Sequence, residues 1–137
     1  MKHSDLSRYK QKGEKITCLT AYDASMASLI DRAGVDTILI GDSLGMVIQG
    51  AENTRSVSME DMIYHTSIVS AACKQSLVIA DMPFNSYEDT QSALSNAKAL
   101  LDHGAELVKI EGGIEHTEVI TALISNNINV CGHLGLQ

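Results

Sequence analysis

The sequence predicts an α/β fold with parallel strands, and three observations carry the prediction. Short apolar runs alternate along the chain with stretches whose apolar residues recur at helical spacing. The apolar runs are continuous rather than alternating with polar residues, as expected when helices cover the sheet. Strand, helix, strand order calls for crossover connections, which are right-handed and pair strands in parallel.

The elements follow in order. Residues 1–15 gather Lys2, Arg8, Lys10, Lys12 and Lys15, and read as a solvated N-terminal arm. The first strand is expected over 16–21. A helix over 23–33 follows, with Met26, Leu29, Ile30 and Ala33 on one stripe and Gly34 as its stop. Strand two is expected over 35–40, then a polar loop over 41–57. Ser58 and Asp61 have capping-box spacing and open a helix carrying Met59, Met62, Ile63, Val69 and Cys73. Strand three is expected over 77–80, ended by Asp81-Met82-Pro83. A helix over 87–103 carries Leu94, Ala97, Leu100 and Leu101, with Gly104 as stop. Strand four spans 106–110, a helix 115–125, and strand five 129–134. The segment from Gly34 to Ile38 resembles that from Gly104 to Val108, each a helix stop followed by a strand. No Pro-rich or Ser-rich linker divides the chain, so 1–137 reads as one domain.

Composition narrows the partners. The chain has 137 residues, enough for one core, and a formal net charge of -7. That charge argues against nucleic acid, whose phosphates need neutralising. No apolar run approaches the roughly 18 residues of a bilayer span, so no membrane is expected either. Cys18, Cys73 and Cys131 are widely spaced, without a Cys-x-x-Cys pair. They read as buried, reduced thiols of a cytosolic protein.

Two architectures accommodate these units: a flavodoxin-like open sheet or part of an eight-stranded barrel. Strand one ends in Ala21-Tyr22-Asp23, and no Gly-x-Gly-x-x-Gly phosphate loop occurs anywhere.

The polar residues fall in a pattern. Asp42 and Ser43 follow strand two, Asp81 follows strand three, Lys109 and Glu111 close strand four, and His133 closes strand five. In parallel α/β folds the C-terminal strand ends form the site face. Lys109 lies between Val108 and Ile110, and a buried ammonium needs partners. Asp42, Asp81 and Glu111 would converge there, and converging carboxylates are costly without a cation or a retained proton. Oxygen donors without Cys or His suit magnesium, which also takes substrate oxygens. A 2-keto acid offers two of them, and the metal would stabilise its enolate. Tyr22 is a further candidate, while Asp23 fits a helix N-cap and His65 fits packing against the sheet.

At these residues the chain resembles a known family. The relevant segments are Thr20-Ala21-Tyr22-Asp23, Gly41-Asp42-Ser43-Leu44-Gly45-Met46 with Gln49-Gly50, Tyr64-His65-Thr66 and Ala80-Asp81-Met82-Pro83-Phe84. Val108-Lys109-Ile110-Glu111-Gly112-Gly113 and Cys131-Gly132-His133-Leu134-Gly135-Leu136 complete the set. In order and approximate spacing they are similar to the ketopantoate hydroxymethyltransferase family. The resemblance implies a TIM (β/α)8 barrel of the phosphoenolpyruvate/pyruvate superfamily, with about its first five strands and four helices present here. It implies Mg2+ and a reaction of 3-methyl-2-oxobutanoate with 5,10-methylenetetrahydrofolate that yields ketopantoate for pantothenate synthesis. It assigns Asp42 and Asp81 to magnesium and keto acid, Ser43 and Lys109 to the keto acid, and Glu111 to the metal shell. The family's proton-transferring glutamate falls after residue 137, so no catalytic residue is assigned. A cytoplasmic homo-oligomer, typically a decamer, is implied as well. The family runs to about twice this length, near the usual size of such barrels. The expectation is therefore an N-terminal half, binding keto acid weakly and turning over poorly. Two other readings stand beside it: another magnesium-enolate C–C bond enzyme of the superfamily, and a non-catalytic half-barrel.

Overall fold

The computed structural model describes residues 1–135. The last residue of the sixth segment, Leu136, lies outside the described residues together with Gln137. Within these residues five parallel strands form one sheet: β1 (Cys18–Thr20), β2 (Thr37–Ile40), β3 (Leu77–Asp81), β4 (Leu107–Glu111) and β5 (Val130–His133). Their spatial order is β1-β2-β3-β4-β5, the order of the chain. This decides between the two architectures. A flavodoxin-like sheet sets strand one between strands two and three, whereas a barrel winds in one direction.

Among the described residues six α-helices accompany the strands: α1 (His3–Lys12), α2 (Ala24–Arg32), α3 (Leu44–Val47), α4 (Met59–Ala72), α5 (Thr90–Asp102) and α6 (Thr117–Ser125). The caps show why they start where they do. The Asp23 carboxylate accepts the Met26 N–H, and Ser58 and Asp61 close a reciprocal capping box. Among the described residues no helix is long and apolar enough to cross a membrane.

The sheet has two unequal faces. On the helix side, Ile38, Ile40, Val78, Ala80, Val108 and Ile110 pack against Ala27, Ile30, Met62, Val69, Ala97, Leu100 and Leu123. Burying each large aliphatic side chain is worth about 1.5–3 kcal/mol, so this layer dominates stability. On the inner face a smaller cluster joins Leu77, Ile79 and Leu107 with Leu39 and Cys131. Met1 and Leu6 pack against that cluster, so the N-terminal segment read as a solvated arm contains a helix that touches the sheet. None of α1 is fully buried, which fits its basic, polar sequence.

Other boundaries also differ from the sequence reading. β1 is shorter than expected and exposed along its whole length, because it forms an edge of the sheet. Cys18 is accordingly exposed, and Cys73 and Cys131 are half-buried, so the expectation of three buried thiols fails; all three are free. α5 begins at Thr90 because the Asp89 carboxylate accepts the Ser92 N–H at 2.8 Å. α6 is preceded by a separate 3-10 turn, Ile114–His116. The short α3 interrupts the segment read as loop.

One polar residue ties the helix layer to the sheet. Asp31, buried at the end of α2, accepts N–H bonds from Lys74, Gln75 and Ser76 at 3.1, 2.9 and 2.8 Å. Burial pushes this carboxyl up, but those three donors prevail and hold it below its usual value.

Candidate active site

Strand register builds the site. Asp81 lies opposite Lys109, Lys109 opposite Cys131, and Glu111 opposite His133. Strand alternation then places Asp81, Lys109 and Glu111 on the inner face, above the apolar cluster of Leu77, Ile79 and Leu107. The Lys109 Nζ donates to Asp81 Oδ1 at 2.9 Å and to Glu111 Oε1 at 3.1 Å. Its side chain is 14% exposed and that of Asp81 6%, so the ion pair is largely desolvated. The His133 Nδ1–H donates to the same Glu111 oxygen at 2.7 Å. The Asp42 N–H donates to the other Asp81 oxygen at 3.1 Å. Asp42, Asp81, Lys109, Glu111 and His133 thus form one connected network at the C-terminal ends of β2 to β5.

Ser43 sits beside it on a second chain of bonds. Its Oγ shares a 2.7 Å hydrogen bond with the Tyr22 hydroxyl. The His65 Nδ1–H in turn donates to the Tyr22 carbonyl at 2.6 Å. His65 therefore holds the strand-one residue by a specific bond, beyond the packing expected of it. Gly41 makes room for this arrangement: a Cβ there would fall 2.9 Å from Ser43 Oγ and 3.5 Å from Asp81 Oδ2.

The electrostatics are unbalanced. Burial pushes the Asp42 carboxyl up, and the charges of Asp81 and Glu111 push it further, against the pull of Lys109. Burial also raises Asp81, and Lys109 only partly offsets this. Burial alone would lower the Lys109 ammonium, yet Asp81 and Glu111 raise it overall. The proton of the pair therefore stays on the lysine. Glu111 is pushed up by burial but held down overall by hydrogen bonds from His133 and Lys109. Lys109 bonds two of the three carboxylates, Asp81 and Glu111, and among the described residues no ion pair joins Asp42 to it.

That donor set fits a hard divalent cation. Asp42 and Asp81 offer oxygen, and added positive charge would relieve both carboxyls. Glu111 has one oxygen engaged by Lys109 and His133, which suits an outer position. Among the described residues no three His, Cys, Asp or Glu side chains form a closed metal cage. Magnesium needs none, since it binds through one or two carboxylates and keeps waters or substrate oxygens.

A cavity of about 330 Å³ opens beside the network, reaching Asp42 and Glu111 and walled by Met82, Phe84, Tyr87, Arg55 and His116.

Residues 1–137 match the family profile described as ketopantoate hydroxymethyltransferase. The chain belongs to the ketopantoate hydroxymethyltransferase family. It is 58% identical over 132 residues to the 3-methyl-2-oxobutanoate hydroxymethyltransferase of Ruthia magnifica subsp. Calyptogena magnifica, covering 96% of this chain and 51% of that protein. The corresponding enzyme of Methylococcus capsulatus is 53% identical over 134 residues, covering 97% of this chain and 50% of that protein. The chain spans about half the length of these curated relatives.

Solved structures place the fold. A phosphonopyruvate hydrolase, in complex with oxalate and Mg++, superposes with a TM-score of 0.78 at 15% identity, over 96% of this chain and 52% of that one. A 2,3-dimethylmalate lyase, a PEP mutase/isocitrate lyase superfamily member, gives 0.71 at 17% identity, over 94% and 51%. The fold is thus that of a partial TIM barrel, as the family resemblance implied.

Arg55, Tyr87 and His116 were not singled out from the sequence, nor was Phe84 beyond its place in a motif. Arg55 lies in the segment read as loop, and His116 in the turn that displaced the start of α6. The only available signal was Phe84, an aromatic residue directly after the strand-ending Asp81-Met82-Pro83.

Proposed function

We propose that this chain provides the keto-acid and magnesium part of a 3-methyl-2-oxobutanoate hydroxymethyltransferase. The observation that carries the reading is Lys109, held between Asp81 and Glu111 at the barrel mouth, with Asp42 hydrogen-bonded to Asp81. The names of the relatives support it, and so does the oxalate and Mg++ complex of the phosphonopyruvate hydrolase, since oxalate presents paired oxygens as a 2-keto acid does.

Asp42 and Asp81 would hold magnesium, with Glu111 behind them, and the bound ion would supply Lewis acidity toward the keto acid. Lys109 brings its fixed positive charge to the oxygen that becomes negative as the keto acid loses its C3 proton. The Ser43 and Tyr22 hydroxyls share one bond, which leaves one O–H free to donate to the substrate carboxylate. His65 fixes that pair by holding the Tyr22 backbone. Overall the keto-acid C3 loses a proton and bonds to the methylene carbon of 5,10-methylenetetrahydrofolate. Both carbon–nitrogen bonds of that methylene break. Water supplies the hydroxyl of the product and one proton to the carrier, whose second nitrogen receives the C3 proton.

Calorimetric titration of 3-methyl-2-oxobutanoate with and without Mg2+ tests the reading, followed by product analysis after adding 5,10-methylenetetrahydrofolate. Magnesium-dependent binding and formation of ketopantoate are expected. Keto-acid binding indifferent to magnesium, or no binding, overturns it.

A further inference from the structure

We propose that His133 is a positioning residue for Glu111, holding one carboxylate oxygen so that the other is presented to the magnesium that Asp42 and Asp81 would bind. The inference rests on the keto-acid and magnesium reading above. Both donors to the Glu111 side chain fall on the same atom: the Lys109 Nζ reaches Oε1 at 3.1 Å and the His133 Nδ1 reaches it at 2.7 Å. Among the described residues nothing bonds Oε2, and Glu111 lines the cavity together with Asp42.

Lys109 does not fix this carboxylate by itself. It divides its ammonium between Asp81 at 2.9 Å and Glu111 at 3.1 Å, and it stands on the same strand as Glu111, two residues earlier. A carboxylate held at one point from one side swings about that contact, and 32% of the Glu111 side chain is open to water. His133 supplies the second point from the neighbouring strand, where it lies opposite Glu111 in register. Its bond is also the shorter of the two. The backbone is fixed on both sides. The Gly112 N–H donates to the His133 carbonyl at 3.2 Å, and the Tyr87 hydroxyl donates to the Glu111 carbonyl at 3.2 Å. Glu111 is thus tethered through main chain and side chain, so little ordering is left for metal binding to impose.

Packing does not account for His133. Its side chain is 35% exposed, it belongs to neither apolar cluster, and it closes the last strand of the described sheet. What it contributes is one N–H at the δ position of the ring. An asparagine amide nitrogen falls near the place of Nδ1, whereas a glutamine amide nitrogen falls near that of Nε2. The two amides therefore separate a donor at the right place from a donor of the right kind. Partners that orient a metal-shell carboxylate in this way are worth about 10–100-fold in metal affinity.

The test titrates Mg2+ calorimetrically into the full chain, with and without saturating 3-methyl-2-oxobutanoate. Wild type is compared with His133→Ala, His133→Asn, His133→Gln, Glu111→Gln and the double variant of His133→Ala with Glu111→Gln. His133→Ala and His133→Gln should weaken Mg2+ binding about tenfold, and His133→Asn should recover most of the loss. The double variant should bind Mg2+ no more weakly than Glu111→Gln alone, because the histidine acts through that carboxylate. If His133→Ala fails to fold, the contrast between His133→Asn and His133→Gln decides in the same way. Equal Mg2+ affinity in wild type and His133→Gln overturns the positioning role, as does an equal loss in every His133 variant or an additive loss in the double variant. A wild type that binds the keto acid without regard to Mg2+ removes the magnesium reading and this one with it.

Discussion

Replacing Lys109 by methionine keeps the aliphatic stem in the sheet and deletes the ammonium. Two charge-assisted hydrogen bonds go with it, at 2.9 Å to Asp81 and 3.1 Å to Glu111. Asp81 is the partner that suffers, because its side chain is 6% exposed against 32% for Glu111. Removing one partner of a buried pair costs about 3–5 kcal/mol, because the other charge is left uncompensated. Water reaching Glu111 moderates its share, so about 3 kcal/mol is expected for Lys109→Met at neutral pH. Urea denaturation measures it. The deficit should shrink on acidification. Asp81, stranded in the folded variant, has its carboxyl raised above the unfolded value, so proton uptake favours the folded state and the benefit is lost as pH rises through that raised value. Asp81→Asn combined with Lys109→Met should cost less than the two single changes added together, with a coupling of about 1–3 kcal/mol. Additive losses, or a Lys109→Met variant within about 0.5 kcal/mol of wild type, would refute the ion pair as the organising contact of the site.

Three further outcomes follow from other parts of the molecule. Asp31→Ala leaves three N–H groups, that of Ser76 buried, without their acceptor and should cost about 1–3 kcal/mol in the same denaturation assay. Because folding depresses the Asp31 carboxyl, its contribution should be complete above the ordinary value of 3.8 and fade as pH falls through the lower folded one. Burial, with Asp31 nearby, pushes the Cys73 thiol up to about 11, so iodoacetamide at pH 8 should modify exposed Cys18 well before Cys73, as read by peptide mass mapping. Asp42→Asn removes a carboxyl that burial and the neighbouring carboxylates push up, and should abolish the magnesium dependence of keto-acid binding while leaving the fold intact by circular dichroism.

Much of this was legible in the sequence, for reasons that differ by residue. The α2 and α4 starts could be read because Asp23 and Ser58 cap through bonds to residues three positions away. Strands two to four could be read because both of their faces are covered, which makes them continuously apolar. Strand order could not, since periodicity repeats identically in open sheets and barrels. Lys109 stood out as a charge inside an apolar strand, whereas its connection to His133 through Glu111 depends on register between β4 and β5. His65 was invisible as a contact because its partner is a backbone carbonyl 43 positions earlier. The N-terminal helix was masked by its own polarity: Leu6, joined by Met1 just before the helix, supplies the apolar packing on the inner cluster, too little to make an apolar stripe.

The order of the strands has a bearing on how the polypeptide reaches this form. Each new strand docks against the one made just before it, so every pairing closes a loop of a single crossover and none waits for a distant segment. Loop closure of that kind is entropically modest, and short-range topologies fold fast. During translation, β2 can seat itself on β1, and β3 on β2, while later segments are still inside the ribosome. Growth from the N-terminal end leaves just one unsatisfied leading edge at a time beyond β1, and that edge is the one the next strand to emerge will cover.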